Sequence, residues 1–352
     1  MPIKKGNVEL YMGPREVGGQ DDLKKVIVDF IDDATKKLDI AVQELDSIDI
    51  AEAVIRARQR KIRVRIVLEG DYLKVRKGRK NPFKPGGKYE INRQIHDAIL
   101  RTAINVKSDY NPQIFHQKFI IRDGNSLLTG STNFTDTGIS SNLNHIVVIK
   151  DENVARIYSK EFREIQQGHF GKLNEGHDPS PDDVTVSKIP IRILFAPDHS
   201  PEMEIMKQML KAKTRVDFAI FTFAQSSGID DTMIALRNAG IQIRGALDGK
   251  QANQDWAATH PIRQAGVKLF LVPEQGALRK LHHKLMVIDK QVVIGGSFNY
   301  TGPANRMNDE NIIIMGDLES TSVSSISKQK ELASYALNEI DRIIHNYGRP
   351  MD

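Results

Sequence analysis

His116 and His282 each stand two residues before a lysine, in "FHQKFIIRDGNSLLTGSTNF" (115–134) and "LHHKLMVIDKQVVIGGSFNY" (281–300). Each also precedes an aspartate and a Gly-Ser-x-Asn tetrapeptide, so both stretches read HxKx4Dx6GSxN. A neutral imidazole can attack phosphorus, and a second, protonated imidazole can give a proton to the departing oxygen. Lys118 and Lys284 supply fixed positive charge. Asn133, Asn299, Ser131 and Ser297 supply hydrogen-bond donors for nonbridging oxygens, the kind of preorganised field that stabilises charge built up in a transition state. The paired set therefore suits phosphodiester chemistry without a metal. A protonated lysine beside each histidine repels a cation, and no HxxxH pair or carboxylate cluster accompanies the motifs. No metal and no cofactor is expected.

The elements that must carry these residues are themselves repeated. "DDLKKVIVDFIDDATKKLDIAVQEL" (21–45) parallels "SPEMEIMKQMLKAKTRVDFAIFTF" (200–223), each an amphipathic helix running into a short apolar strand. The helical face of the first is Leu23, Val26, Ile27, Phe30 and Ile31, and that of the second Met203, Met206, Met209 and Leu210. "DIAEAVIRARQRKIRVRIVLEG" (49–70) parallels "IDDTMIALRNAGIQIRGALDG" (229–249) in the same way. Alternating helices and strands predict an α/β fold of two repeated α/β/α lobes with mainly parallel sheets. The motif itself reads as two strands joined by a turn at "DGN", with His116, Lys118 and Ile120 on one face. Residues 1–175 form one expected lobe and 191–352 the other. The Gly-, Pro- and Asp-rich stretch 176–190 reads as a linker.

The first half carries an insertion, 71–89, without a counterpart in the second. It holds Lys74, Arg76, Lys77, Arg79, Lys80, Lys84 and Lys88 against the single acid Asp71. Such a cation run is either a solvated loop or a contact for a phosphate backbone, which needs many cations and no fixed geometry. The chain has 352 residues, net charge +5 and no cysteine, which excludes disulfides, thiolate metal sites and thiol catalysis. No apolar run is long enough to span a bilayer, and the N-terminal residues lack a signal-peptide core. The expectation is a cytoplasmic protein with no membrane insertion. Trp256, the only tryptophan, reads as a packing residue. Glu44, ending the first strand, is a candidate for the rim of a site at the strand ends.

The two motifs resemble those of the phospholipase D superfamily. Its HKD signature stands here as His116-Lys118-Asp123 and His282-Lys284-Asp289, and its GSxN extension as Gly130-Ser131-Asn133 and Gly296-Ser297-Asn299. The resemblance covers both halves. It implies two lobes related by a pseudo-two-fold axis, a pseudo-dimer within one chain, with one active site at their junction to which each half contributes. It implies a covalent phosphohistidine, with Lys118, Lys284, Asn133 and Asn299 holding the phosphate and Asp123 and Asp289 mainly structural.

The family also places an acid after GSxN that orients the histidine of the opposite lobe. Glu310 occupies that place in the second half, and Asn144 in the first. If the support crosses between lobes, Glu310 serves His116 while His282 faces a neutral amide. The carboxylate-supported histidine is the better nucleophile, which makes His116 the nucleophile and His282 the general acid. His145 reads as a structural neighbour, and so does His283. The charge, the basic insertion and the compact lobes resemble the nuclease branch, with nucleic acid, DNA before RNA, as partner. Two other readings remain open: a lipid phosphodiesterase or transphosphatidylase, and a non-catalytic nucleic-acid-binding module. A further subunit or protein partner is compatible with either.

Overall fold

The structure, a computed structural model, describes residues 2–75, 81, 83–173 and 180–351. Of the basic insertion, Arg76, Lys77, Arg79 and Lys80 lie outside the described residues.

The first lobe contains β1 (Ile3–Lys5), β2 (Val8–Gly13), β3 (Lys37–Val42), β4 (Arg63–Glu69), β5 (Asn105–Asp109), β6 (Lys118–Arg122), β7 (Ser126–Gly130) and β8 (Asn142–Ile149). The second contains β9 (Asp182–Val186), β10 (Ile189–Ala196), β11 (Arg215–Ile220), β12 (Gln242–Asp248), β13 (Lys268–Val272), the short β14 (Lys280–Leu281), β15 (Lys284–Ile288), β16 (Val292–Gly296), β17 (Glu310–Met315) and β18 (Arg349–Pro350). The strand orders are β1-β2-β8-β7-β6-β3-β4-β5 and β9-β10-β17-β16-β15-β11-β12-β13-β18. Position by position, the first eight strands of the two orders correspond, so the sequence repeat is a structural repeat.

The lobes are α/β as expected, but the sheets are mixed rather than mainly parallel. Among the described residues, parallel strand pairing is confined to β3, β4 and β5, their counterparts β11, β12 and β13, and the short β14 against β8. The two triplets are the strands joined by crossover helices, Ile48–Gln59 and Glu90–Arg101 in the first lobe. The motif's own hairpin, β6 to β7, reverses the chain, and β8 and β2 each reverse it again. Part of the stretch read as a linker is also ordered. β9 pairs antiparallel with β10 and closes the edge of the second sheet. Its alternating burial, with Val186 inside, is what a half-covered edge strand needs.

Three apolar clusters fill the molecule. One packs the outer helices of the first lobe on its sheet, through Leu23, Ile27, Ile40, Val54 and Ile66. Another does so in the second, through Ile205, Met209, Phe218 and Met233. The third joins the lobes. Phe119, Leu127 and Val147 of the first sheet meet Phe195, Leu285 and Val293 of the second. Tyr158 and Phe162 of helix Glu152–Gln167 and Leu332, Ala336 and Ile340 of helix Val323–Tyr347 lie among them. This shared interior joins the lobes, and the last residues of β3 and β11 pair with the motif lysines, Val42 with Lys118 and Ile220 with Lys284. On helix Pro201–Leu210 the buried residues include Ile205 and Met209, while Met203 and Leu210 face outward, unlike the methionine stripe expected.

Candidate active site

Each motif is delivered to the junction by pairing with the other lobe. Phe115 bridges Asp309 in parallel, and the His116 N–H donates to Asp309 O at 2.9 Å. On the other side β14 pairs parallel with the start of β8, and the His282 N–H donates to Leu143 O at 2.9 Å. The residue next along each partner segment is the one that meets the imidazole. His116 Nδ1 lies 2.6 Å from Glu310 Oε2, and His282 Nδ1 lies 2.9 Å from Asn144 Oδ1. All four side chains are buried. The crossing of support between lobes thus follows from crossed backbone pairing.

The surrounding bonds fix the proton positions. Asn144 Nδ2 donates to Gly138 O (2.9 Å) and Asn142 O (3.2 Å), so its Oδ1 must face His282. His282 therefore carries its proton on Nδ1 and leaves Nε2 free. Glu310 Oε2 accepts from Ser297 Oγ at 2.6 Å as well as meeting His116, an arrangement suited to a carboxylate acceptor and a His116 Nδ1–H donor. Ser131 Oγ makes the equivalent bond to Asn144 Oδ1 at 2.8 Å.

Burial dominates the titration of these groups. It pushes Glu310 up to about 8, against the pull of Lys118, Ser297 and Lys284. Burial holds His116 well below the ordinary imidazole value, with Lys118 and Lys284 adding to the effect. His282 is lowered in the same way, by burial and then by Lys284 and Lys118. Burial brings Lys118 down to about 7 despite Glu310 and Glu44, and burial lowers Lys284 as well, with Lys118 adding to the effect. A bound phosphodiester anion between the two ammonium groups favours their charged forms. Without it they are held by backbone carbonyls, Lys118 Nζ on His116 O (2.6 Å) and Lys284 Nζ on His282 O (2.9 Å).

The GSxN segments need their glycines. Gly130 and Gly296 have φ of 151° and 146°, and a Cβ would lie 2.2 Å from His145 O or 2.3 Å from Asn311 O. Asn133 and Asn299 follow, half-buried, each with a buried Oδ1 that has no protein partner among the described residues. Asp123 and Asp289 lie at the far ends of the motif strands. Asp123 accepts from the Thr35, Lys36 and Lys37 N–H groups, and Asp289 from those of Lys213, Thr214 and Arg215. They pin the turns that lead into β3 and β11. Of the insertion, Lys74 pairs with Asp71 (2.9 Å) and lies over the Tyr110 ring at 5.8 Å; Lys88 lies over Tyr89 at 4.6 Å, and Lys84 is exposed.

Several contributors had not been singled out in the sequence. Glu69 accepts the N–H of Phe115, the residue before His116, at 2.7 Å. Asp248 accepts the N–H of Leu281, the residue before His282, at 3.2 Å. Both end aligned strands, "LEG" and "LDG", and that repeated acid-glycine pair was the available signal. Behind His282, the His283 and His145 rings stack with Nδ1 atoms 3.2 Å apart. The Gly296 N–H donates to His145 Nε2, so His145 must donate through Nδ1, and His283 through Nε2 toward Glu339. Gln117 and Asn311 occupy the equivalent places behind His116, joined at 2.6 Å. Glu44 is half-buried at the rim and pushed up to about 7 by burial and by Asp46, against Lys280 and Lys118. Trp256 is 44% exposed and not the packing residue expected. Among the described residues, the carboxylates close enough to share an ion are Glu161, Glu164 and Asp198. Glu161 lies behind Gln117 rather than among the motif residues.

Comparison with known proteins agrees with this construction. The whole chain superposes on a phosphatidylserine synthase from Haemophilus influenzae Rd KW20 with TM-score 0.69 at 12% identity, covering 88% of that chain. A polyphosphate kinase from Porphyromonas gingivalis matches 94% of this chain and 50% of its own, with TM-score 0.58 at 12% identity. These likenesses concern the fold. In sequence, a mitochondrial cardiolipin hydrolase of Chlamydomonas reinhardtii is 31% identical over 106 residues, 30% of this chain and 46% of that protein. A phospholipase D of Rickettsia conorii is 31% identical over 139 residues, 38% of this chain and 65% of that protein. The chain thus matches between about half and two-thirds of the length of these relatives. The family model described as "Cardiolipin synthase, PLD-like domain" matches twice, at residues 27–166 and 205–330, and the chain belongs to that phospholipase D-like family with both repeats present.

Proposed function

We propose that this phosphodiesterase is a metal-independent nuclease, acting on DNA before RNA in the cytoplasm, with His116 as nucleophile and His282 as general acid. The unequal support of the two imidazoles carries the assignment of roles: Glu310 on His116 at 2.6 Å, against the neutral Asn144 on His282. His116 Nε2 attacks phosphorus in line. The new N–P bond forms as the P–O bond to the leaving group breaks, and that oxygen takes a proton from Nε2 of His282, which enters the step as an imidazolium after taking up a second proton from solvent beside the bound anion. The positive charge developing on His116 is met by Glu310. Water then attacks phosphorus, gives its proton to His282 Nε2, and breaks the P–N bond to restore His116. Lys118, Lys284, Asn133 and Asn299 hold the nonbridging oxygens throughout.

The nucleic-acid reading rests on the net charge of +5, on the run of cations in the 71–89 sequence, and on Lys74, which lies over the Tyr110 ring directly after β5. A lipid diester is the second reading, favoured by the likeness to a cardiolipin hydrolase and a phospholipase D and by the exposed apolar Ile114, which directly precedes the first motif. The deciding experiment incubates the protein and His116→Ala with labelled DNA, RNA and phosphatidylcholine vesicles in EDTA. Cleavage of DNA that survives EDTA and is lost in His116→Ala is expected. Cleavage of lipid alone would sink the nuclease reading, and EDTA sensitivity would sink the metal-free mechanism.

A further inference from the structure

The two sides of the reacting phosphate are built differently, although the backbone beneath them is the same. At the end of β11 the Phe221 N–H donates to His283 O, and at the end of β3 the Gln43 N–H donates to Gln117 O, both at 2.9 Å. These positions are equivalent in the repeat. Gln43 is used up within the first lobe: its Oε1 accepts from Lys118 Nζ at 3.3 Å and its Nε2 donates to Tyr72 at 3.2 Å. Phe221 instead presents a half-buried ring 4.8 Å from the His282 ring, with Lys284 Nζ 4.9 Å and Lys280 Nζ 5.6 Å from its centroid.

A second ring of the same kind stands on the first lobe. Tyr110 directly follows β5 and is 71% exposed, with Lys74 Nζ 5.8 Å from its centroid. It packs beside Gly70, next to the Glu69 carboxylate that holds the residue before His116; a Cβ on Gly70 would lie 3.4 Å from Tyr110 Cδ1. Phe83, in the insertion, is 94% exposed. Each lobe thus offers at its strand ends an aromatic ring paired with a lysine.

We propose that Phe221 and Tyr110 are base platforms on either side of the scissile phosphate, and that the substrate is single-stranded. The proposal deepens the nuclease reading and rests on it. A ring accepts any base by its π-face while the adjacent ammonium takes the next phosphate, the pattern by which single strands are held without sequence readout. A duplex keeps its base faces stacked inside and gains nothing from either ring. Because Phe221 lies against His282, its platform serves the leaving nucleotide. Tyr110, with Lys74 beside it, serves the segment that stays on His116.

The test compares one labelled oligonucleotide as a single strand and as a duplex, in EDTA, alongside the small diester bis(4-nitrophenyl) phosphate, which cannot reach both rings. The single strand should be cut at least tenfold faster than the duplex. Tyr110→Ala and Phe221→Leu should each lower kcat/KM on the single strand by about 5- to 100-fold. Each loss should exceed the same variant's loss on the small diester by roughly tenfold. Tyr110→Phe, which keeps the ring, should retain the single-strand rate, and separates a stacking role from misfolding. Equal cleavage of both forms, or equal losses on both substrates, would overturn the platforms and leave the nuclease standing. Absence of cleavage of any nucleic acid, with hydrolysis of anionic phospholipid vesicles instead, would overturn the nuclease reading itself.

Discussion

Glu310 decides what His116 can do. With the carboxylate ionised and the proton on Nδ1, Nε2 has its lone pair free. With one more proton on the pair, either Glu310 is neutral and Nε2 holds the proton, or the imidazole is cationic, and neither form attacks. Burial places Glu310 at about 8, so the ionised fraction falls as pH drops below that value. On a diester whose leaving group needs no proton, such as a nitrophenolate, kcat/KM, which reports the free enzyme, should therefore rise with pH toward about 8. In Glu310→Gln that limb should vanish, since no carboxylate remains to titrate. The rate should fall by about 10²- to 10⁴-fold, as when a neutral amide replaces the carboxylate behind a catalytic imidazole. A pH–rate series on a small chromogenic diester reads both effects. An unshifted limb in Glu310→Gln would assign it to another group.

At the scale of strands and turns, the site depends on how the residue before each histidine is held. Glu69 ends β4 and accepts the buried Phe115 N–H, and Asp248 ends β12 and accepts that of Leu281. Neither carboxylate meets its histidine's side chain, so each positions through the backbone. Glu69→Ala should cost about 1–3 kcal/mol by leaving a buried N–H unpaired, seen as a lower Tm. It should also lower kcat about tenfold or more with little change in KM, because a small misplacement of the nucleophile is expensive. A Tm drop with kcat intact would reduce Glu69 to a stabilising role. The repeat, the two motifs and the lone acid at Glu310 were legible in the sequence because each is a pattern of residue types at fixed spacing. The crossed pairing of Phe115 with Asp309 was not, since a two-residue contact 194 positions apart leaves no periodicity. The mixed sheets escaped for a related reason. Helix–strand alternation reveals where crossovers occur, but β8 and β2 carry continuous buried runs that show no direction. Nor could spacing distinguish Phe221 from Gln43, whose difference lies in what surrounds each strand end.

For the molecule as a whole, the pseudo-symmetry raises the question of why one histidine should attack rather than either. The frame does not choose. β8 and β17 occupy equivalent places, Asn144 pairs with Gly13 as Glu310 pairs with Ala196, and Ser131 and Ser297 donate to the same position on each side. What differs is one side chain, a carboxylate against an amide. Asn144→Glu should therefore give His282 the carboxylate contact that Glu310 gives His116, with Ser131 ready to bond the new carboxylate. On a symmetric substrate such as bis(4-nitrophenyl) phosphate, which favours neither orientation, quenching in alkaline denaturant, where the P–N bond survives, should trap the 4-nitrophenyl phosphoryl group on His116 alone in the native protein. In Asn144→Glu it should be found on both His116 and His282. Mass spectrometry of the two histidine peptides makes the assignment. Label confined to His116 in the variant would mean that something other than the supporting residue selects the nucleophile. Label on His282 in the native protein would reverse the roles altogether. Burial and Lys118 lower Lys284 while Glu310 and Asp248 raise it, and a buried carboxylate at 144 would add to that upward pull. The variant should therefore also raise the fraction of Lys284 that stays protonated without substrate, and bind free phosphate less tightly than the native site does.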